Sequence, residues 1–141
     1  MVRKADKADT LKQQGVEAVI ADLEKPWTLA PAFEGVDTVW LLSPPGPRAP
    51  EQQSNGIWAA RQAGVKHIVR MSAVGAAHDA PIMNSRLHAL SDAEVAATKI
   101  PYTIIKPHFF AQNFMMAAGS VEKEGAIYFA LAEGKMGIVD T

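Results

Sequence analysis

The chain has 141 residues, 48% of them hydrophobic and 21% charged, which is typical of one soluble globular domain with a single core. A formal net charge of −1 gives no electrostatic reason to expect a nucleic acid or a membrane as partner, and no stretch resembles a signal peptide or a membrane span. The absence of cysteine excludes disulfides, thiol catalysis and thiolate metal sites, and it favours a reducing, cytoplasmic location.

The first third of the chain predicts two helix–strand pairs. Residues 5–14 are polar and suit a short helix, and residues 16–22 suit a strand that ends on an acidic residue. Residues 26–35 predict a helix of one or two turns, with proline near its start and glycine at its end. Residues 36–42 contain β-branched and aromatic residues, are apolar through their second half, and predict a strong strand. Residues 43–50 are rich in proline and must form a loop.

The middle of the chain repeats the pattern. Residues 51–64 predict a helix that begins after a proline and ends at a glycine. Residues 64–75, GVKHIVRMSAVG, predict a buried strand closed by small residues. A loop is expected over 78–84 and a helix over 85–98. Residues 100–105 predict another buried strand.

The end of the chain carries weaker signals, with an apolar helix over residues 109–118 and a last strand over 126–131. Strands that alternate with helices predict an α/β fold with a parallel sheet and right-handed crossovers. Ligands of such sheets bind beyond the carboxyl ends of the strands. Ser72 stands at such an end, either to take part in chemistry or to shape a pocket.

Four segments together resemble the NmrA-like branch of the atypical short-chain dehydrogenase/reductase family. They are GVEAVIADL at 15–23, FEGVDTVWLLSP at 33–44, AGVKHIVRMSA at 63–73, and IPYTIIKP at 100–107 with FFAQN at 109–113. The resemblance implies a three-layer Rossmann fold that binds NADP or NAD. Some members of this family reduce quinones or similar small molecules, and others only sense the cofactor and regulate partners.

Two parts of the family pattern are missing from this sequence. The family begins with a strand and a GxxGxxG turn that cradles the cofactor pyrophosphate, and this chain has neither. Residues 1–3 resemble the end of the family's second strand, and residues 137–141 stop before its substrate-binding part. We therefore expect residues 1–141 to form a single partial NAD(P)-binding domain. An incomplete sheet predicts weak stability, impaired cofactor binding or association into a homo-oligomer.

The resemblance assigns the chain's first half to the adenosine side of the cofactor. Arg3 and Lys4 correspond to residues that meet the 2′-phosphate of NADP, or else form a solvated basic terminus. Asp22 and Leu23 correspond to a pair beside the adenine, although a turn or helix-cap role for the aspartate is the alternative. The choice between NADP and NAD stays open.

The later strand ends are assigned to the rest of the cofactor. The resemblance places three residues along the ribose and pyrophosphate, namely Leu42, Ser43 and Pro44. It places three others around the nicotinamide and substrate, namely Pro107, Phe109 and Phe110. Gln112 and Asn113 are candidates for polar contacts nearby. The alternatives are a stiff surface loop for the first group and core packing at a strand end for the second.

Ser72 and Ala73 match the position that the family places near the nicotinamide. Active short-chain dehydrogenases add a Tyr-x-x-x-Lys pair, but here His88 falls on the lysine position and Asn84 on the tyrosine position. Asparagine cannot give up a proton as tyrosine does, so His88 or solvent would supply it. The simpler alternative is a surface His88 bonded to Asp92, one helical turn on.

The four histidines share no metal-ligand spacing, so we predict no metal site. The leading hypothesis is an NAD(P)H-dependent oxidoreductase that acts on a small quinone or carbonyl compound without the usual Tyr-Lys pair. The alternatives are a non-catalytic sensor of NAD(P) and an inactive fragment.

Overall fold

The computed structural model describes residues 1–129 and 133–141. Five α-helices are found in these residues, namely α1 (Ala5–Gln13), α2 (Leu29–Phe33), α3 (Ala49–Gln62), α4 (Met83–Ala97) and α5 (Ala118–Glu124). Two 3₁₀ segments precede α2 and α5, namely Pro26–Thr28 and Ala111–Ala117. The strands are β1 (Thr38–Leu41), β2 (His67–Met71), β3 (Tyr102–Ile105), β4 (Phe109–Phe110) and β5 (Ile138–Val139).

The main sheet is parallel and has the order β1-β2-β3. Helices α3 and α4 lie between its strands in the chain, as the sequence predicted. In register, Leu41 lies opposite Arg70, and Arg70 lies opposite Ile104. The predicted α/β fold with a parallel sheet is therefore confirmed, and the prolines of residues 43–50 set the start of α3.

The core lies between one face of this sheet and the helices. Val39, Leu41 and Ile68 point to that face and pack in one cluster with Ile57 of α3 and Val95 of α4. The opposite face carries Trp40, which is 52% exposed. Of the three layers expected, the described residues thus build the sheet and the helical layer of α3 and α4.

The predicted strand over residues 16–22 is wrong. It is reduced to one parallel bridge between Val2 and Ile20, held by backbone hydrogen bonds from Val2 to Val19 and from Ala21 to Val2, both of 2.9 Å. A ladder needs partners along its whole length. The segment at Val2 forms a single bridge, through hydrogen bonds to Val19 and Ala21, so no strand propagates.

The chain after β3 also differs from its prediction. Residues 109–118, expected as one helix, form β4 and the Ala111–Ala117 3₁₀ segment before α5 begins. Strand β4 pairs in parallel with β5, and this pairing holds the first residues extended. In the predicted strand 126–131, residues 126–129 have no regular structure, and the remainder lies outside the described residues. No helix in the described ranges is both long and apolar enough to cross a membrane.

Gly56 of α3 lies where this helix packs closely on β1. A Cβ atom at this position would lie 2.9 Å from Cδ1 of Leu41 and 3.2 Å from Cδ2 of Leu23. Leu41 is only 3% exposed and cannot move away freely. We expect Gly56→Ala to lower the free energy of unfolding by about 1 kcal/mol, because overpacking outweighs the gain in helix propensity.

Chemical denaturation of both proteins measures this difference. The matched control is Gly119→Ala in α5, where an added Cβ meets nothing within 4 Å. The control is expected to leave stability unchanged or slightly raised. Equal effects of the two substitutions would contradict the close packing of α3 on β1.

Candidate functional site

A cavity of about 580 Å³ lies at the carboxyl ends of β1, β2 and β3. It is where a parallel sheet binds its ligands. Nine of the residues predicted from the sequence line it, namely Leu42, Ser43, Ser72, Ala73, His88, Pro107, Phe109, Phe110 and Asn113. Asn84 lines it as well. Strand ends and the first turns of α3 and α4 therefore converge on one space.

Backbone pairing continues past the ends of β2 and β3 and fixes the floor of the cavity. The Ser72 amide donates to the carbonyl of Ile105 over 2.8 Å, and the Val74 amide donates to the carbonyl of Pro107 over 3.0 Å. Ser72 itself is buried. Its side chain is therefore held in place by two neighbouring strands rather than by a free loop.

The carboxylate of Asp92, in α4, contacts three polar side chains below the cavity. Its Oδ2 accepts a hydrogen bond of 2.8 Å from the Ser72 hydroxyl and lies 3.3 Å from Nζ of Lys106. Its Oδ1 lies 3.4 Å from Nε of Arg70. The side chain of Arg70 is 0% exposed and that of Asp92 is 11% exposed, so this is a buried ion pair. One carboxylate thus holds the ends of two strands against α4.

The guanidinium of Arg70 reaches His88. Nη2 of Arg70 lies 3.2 Å from Nδ1 of His88, and Nη1 donates to the carbonyl of Met71. The pairing of His88 with Asp92 that the sequence suggested is therefore wrong. Arg70 arrives from β2 and takes the imidazole nitrogen, while Asp92 turns to Ser72, Arg70 and Lys106.

The electrostatics of the site follow from this burial. Burial lowers the pKa of His88, the positive charge of Arg70 lowers it further, and Asp92 opposes both effects. Burial also lowers the pKa of the Arg70 guanidinium, and Asp92 opposes that change. His88 is therefore a neutral imidazole at physiological pH.

Gln53 adds a polar group that the sequence reasoning missed. It is buried on the first turns of α3, and its Nε2 donates to the Ser43 hydroxyl over 2.8 Å. Its Oε1 is buried without a hydrogen-bond partner among the described residues. Buried acceptors of this kind are costly unless something donates to them.

A smaller cavity of about 150 Å³ lies beside the first one and is lined by the predicted adenosine-side residues Arg3, Asp22 and Leu23, and by Pro44, which was predicted along the ribose and pyrophosphate. The two cavities adjoin, since Ser43 lines one and Pro44 the other. The Asp22 carboxylate accepts from the Glu24 amide over 3.0 Å, which is the turn role considered as its alternative.

Two predicted residues lie outside both cavities. Lys4 is exposed at the N-cap of α1. Gln112 donates instead to the carboxylate of Asp140 over 2.6 Å and to the carbonyl of Thr141 over 2.8 Å. Their predicted cofactor contacts have no support in the geometry.

Aromatic side chains close one wall of the large cavity. Phe109 packs edge-to-face against Phe114 and Phe129, with ring centroids 5.4 Å and 5.7 Å away. Phe109 also borders a second space of about 460 Å³ that Met116 and Tyr128 help to line. An apolar, flat ligand group would find complementary surfaces here.

The sequence reasoning did not predict Arg70 or Gln53 as site residues, although the sequence contains signals for both. Arg70 is a charge inside a strand of apolar residues, and a buried charge requires a partner. Gln53 stands at i−4 and i−7 from Ile57 and Ala60, on the face of α3 that packs on the core. Both are polar residues at positions where the pattern demands apolar ones.

A protein-family model described as NAD(P)H-binding matches residues 1–126. The chain belongs to the NAD(P)H-binding family. Its resemblance to NmrA-like atypical short-chain dehydrogenases/reductases and its Rossmann-like fold are thereby confirmed.

Several relatives within this family are reductases. The chain is 36% identical over 140 residues to an NAD(P)H azoreductase of Xenophilus azovorans, covering 99% of this chain and 49% of the relative. It is 31% identical over 138 residues to quinone oxidoreductase 2 of Escherichia coli, covering 96% and 48%. The chain thus spans about half the length of the curated relatives it matches.

A solved structure supports the same family. The crystal structure of Citrobacter sp. triphenylmethane reductase complexed with NADP(H) superposes with a TM-score of 0.78 at 32% identity. The match covers 89% of this chain and 45% of that one.

The buried carboxylate of Asp92 is predicted to make a large contribution to stability. Asp92→Asn removes the charge that partners both Arg70 and Lys106. We expect it to lower the free energy of unfolding by about 3 kcal/mol or more, because a buried cation loses its counter-ion. Urea unfolding measures the difference.

The matched control is Asp37→Asn. Asp37 pairs with Lys66 over 2.9 Å, but both side chains are about three-quarters exposed, at 74% and 76%. Surface pairs of this kind contribute little. Loss of similar size in both variants would contradict a special role for the Asp92 carboxylate.

The lowered pKa of His88 predicts a pH dependence of stability. The unfolded chain protonates this histidine near its ordinary pKa of 6.5, and the folded chain only at lower pH. Between these two values the unfolded state binds more protons, so stability falls as the pH is lowered. We expect His88→Gln to flatten this part of the stability profile, as measured by urea unfolding at a series of pH values.

His78→Gln is the control, since His78 is exposed in a loop. It keeps His88 and its contact with Arg70, so the loss of stability that His88 causes at lower pH is expected to remain. An unaltered slope for His88→Gln would contradict a buried, neutral His88.

Proposed function

We propose that this chain forms the cofactor-binding part of an NAD(P)H-dependent oxidoreductase that acts on a small quinone or carbonyl compound. The observation that carries the proposal is the cavity at the carboxyl ends of three parallel strands, with Ser72 and His88 on its polar side and Phe109 and Phe110 on its apolar side. The names of the relatives support the same proposal, since they are an NAD(P)H azoreductase, a quinone oxidoreductase and a triphenylmethane reductase.

The residues present fit a nicotinamide and an adenosine in separate spaces. The large cavity combines aromatic walls with a few polar groups, as a flat ring with a carboxamide requires. The unpartnered Oε1 of Gln53 beside it is an acceptor that lacks a donor. The small cavity places Arg3 near Asp22 and Leu23. Ser43 and Pro44 link the two spaces, which suits an elongated dinucleotide.

In this proposal the cofactor supplies one kind of chemistry, namely hydride donation by its reduced nicotinamide. The chain's own residues bind, orient and shield. Pro107, Phe109 and Phe110 form apolar walls that exclude water from part of the cavity, and Ser72 and His88 orient polar groups of the ligands. Arg3 would distinguish NADP from NAD by pairing with a 2′-phosphate.

A second candidate function is a sensor that binds NAD(P) without turnover. The observation in its favour is Asn84, which lines the cavity where the family's tyrosine is expected. An amide offers hydrogen bonds but no transferable proton at neutral pH. The oxidoreductase remains the leading proposal, with the proton taken from solvent.

Binding of NADPH is the first test. At a concentration of 100 times Kd, a ligand of the folded state stabilises it by about 2.7 kcal/mol. We expect NADPH to raise the melting temperature of the chain, and Ala73→Phe to abolish this rise by filling the cavity. Ala77→Phe, a neighbouring position that does not line the cavity, serves as control and should keep the rise.

Turnover separates the two candidate functions. Oxidation of NADPH is followed with benzoquinone, naphthoquinone, an azo dye and an aldehyde. Turnover with one of these that Ala73→Phe removes supports the oxidoreductase. Binding without turnover supports the sensor. A chain that neither binds NADPH nor turns over would overturn both.

A further inference from the structure

Arg70 is an unusual neighbour for a histidine in a cavity. It is the fourth of the five residues of β2, and its side chain is 0% exposed. Its guanidinium donates to the Met71 carbonyl through Nη1 and faces Nδ1 of His88 through Nη2, 3.2 Å away. A guanidinium carries five donors and no acceptor. It can therefore only donate to the imidazole.

This contact determines where the imidazole carries its proton. A neutral histidine has one N–H and one unprotonated nitrogen. A proton on Nδ1 would face the N–H of Arg70 across 3.2 Å, and neither group could accept. Nδ1 must be the unprotonated nitrogen, so the proton is on Nε2. Since Nδ1 is engaged by Arg70, Nε2–H is the group that His88 offers to the cavity it lines.

Ser72 has the opposite character for a similar reason. Its hydroxyl donates to Oδ2 of Asp92 over 2.8 Å, and a carboxylate held between Arg70 and Lys106 can only accept. The single hydroxyl proton of Ser72 is thus used inside the protein. Toward the cavity, which His88 also lines, Ser72 presents lone pairs.

We propose that Arg70 is a positioning residue that holds His88 as its neutral Nε2–H tautomer, so that His88 serves the cavity as a hydrogen-bond donor and not as a charged acid. The ligand group it would meet is an acceptor, a carbonyl oxygen or an aromatic nitrogen. The nature of that ligand rests on the proposed function, whereas the tautomer is a property of the free chain.

Charged and titratable groups from several elements surround His88. Arg70 faces it from β2, Asp92 lies one turn along its own helix, and Lys106 reaches Asp92 from the segment after β3. His108 lines the same cavity from the β3–β4 connection. Burial and Arg70 lower the pKa of His88 more than Asp92 raises it. The imidazole therefore carries no charge at neutral pH.

Nitrogen NMR of the unmodified chain tests the proposal directly. Long-range proton–nitrogen correlations of the histidine rings, with His88 assigned by its loss in His88→Gln, distinguish a protonated from an unprotonated ring nitrogen. At neutral pH we expect His88 to show an unprotonated Nδ1 and a protonated Nε2. The reverse pattern, an averaged pattern of both tautomers, or an imidazolium would overturn the proposal.

Variants test whether Arg70 is the cause. Arg70→Met should return His88 to a mixture of tautomers and raise its pKa, because the donor and one lowering charge are lost. Arg70→Lys keeps a cationic donor and should restore the Nε2–H form at least in part. Arg86→Met is the control, since Arg86 belongs to α4, like His88, but donates to the carbonyls of Ala80 and Pro81. It should leave His88 unchanged.

The test is decisive whether or not the Arg70→Met variant folds. If Arg70→Met does not fold, the spectrum of the unmodified chain and that of Arg70→Lys still decide. If Arg70→Met folds and the His88 tautomer and pKa stay as before, Arg70 is not the positioning residue and the proposal fails.

Titration with NADPH separates this proposal from the proposed function. We expect NADPH to shift the Nε2 resonance of His88 more than that of Nδ1. A thermal shift by NADPH with an unchanged His88 spectrum would overturn the donor role toward the cavity. An unchanged spectrum without a thermal shift would count against the proposed function and leave the tautomer result standing.

Discussion

The carboxylate of Asp92 is the contact on which the arrangement of this chain depends. It belongs to α4, but its partners are Arg70 within β2, Ser72 just after β2 and Lys106 just after β3. The ends of two strands are thus tied to one helix through a single side chain. The parallel sheet brings its strand ends together, and the carboxylate sets where α4 stands on them.

Burial makes this contact specific. Removing Arg70 and Asp92 from water is costly, and the pair recovers that cost only when its geometry is kept. Sliding α4 by one residue would rotate Asp92 about 100° around the helix and leave Arg70 without a carboxylate. The apolar residues of α4 could tolerate such a shift more easily, because hydrophobic contacts are not directional. The ion pair therefore selects one register, and the cavity lining follows from it.

Local patterns predicted the elements well where local forces determine them. The strands over 36–42, 64–75 and 100–105 and the helices before and between them follow from side-chain periodicity and from proline and glycine at the ends. The cavity residues at strand ends could also be predicted, because the topology brings these ends together. The strand over 16–22 could not, since a strand exists only through its partner, and Val2 offers one bridge.

The sequence did not predict which polar side chains from distant elements would pair. The alternative role considered for His88 was a bond to Asp92, four residues away on the same helix, but Arg70 is its partner at a separation of 18 residues. Periodicity says which face a residue occupies and says nothing about which of several polar groups on two faces will meet. Charge determines the partners here. The Asp92 carboxylate pairs with Arg70 and Lys106, and the guanidinium of Arg70 also contacts the imidazole of His88.

The pairing of Arg70 with both Asp92 and His88 has a consequence for any reaction at the cavity. An imidazole that keeps its proton and carries no charge can polarise a carbonyl group without itself changing protonation state. Arg70 strengthens that donor by its positive charge, while Asp92 keeps the charge of the pair balanced below the cavity. The proton that completes a reduction would then come from water, since Asn84 offers none. A site built this way depends on the orientation of its hydrogen bonds rather than on an acid tuned to the working pH.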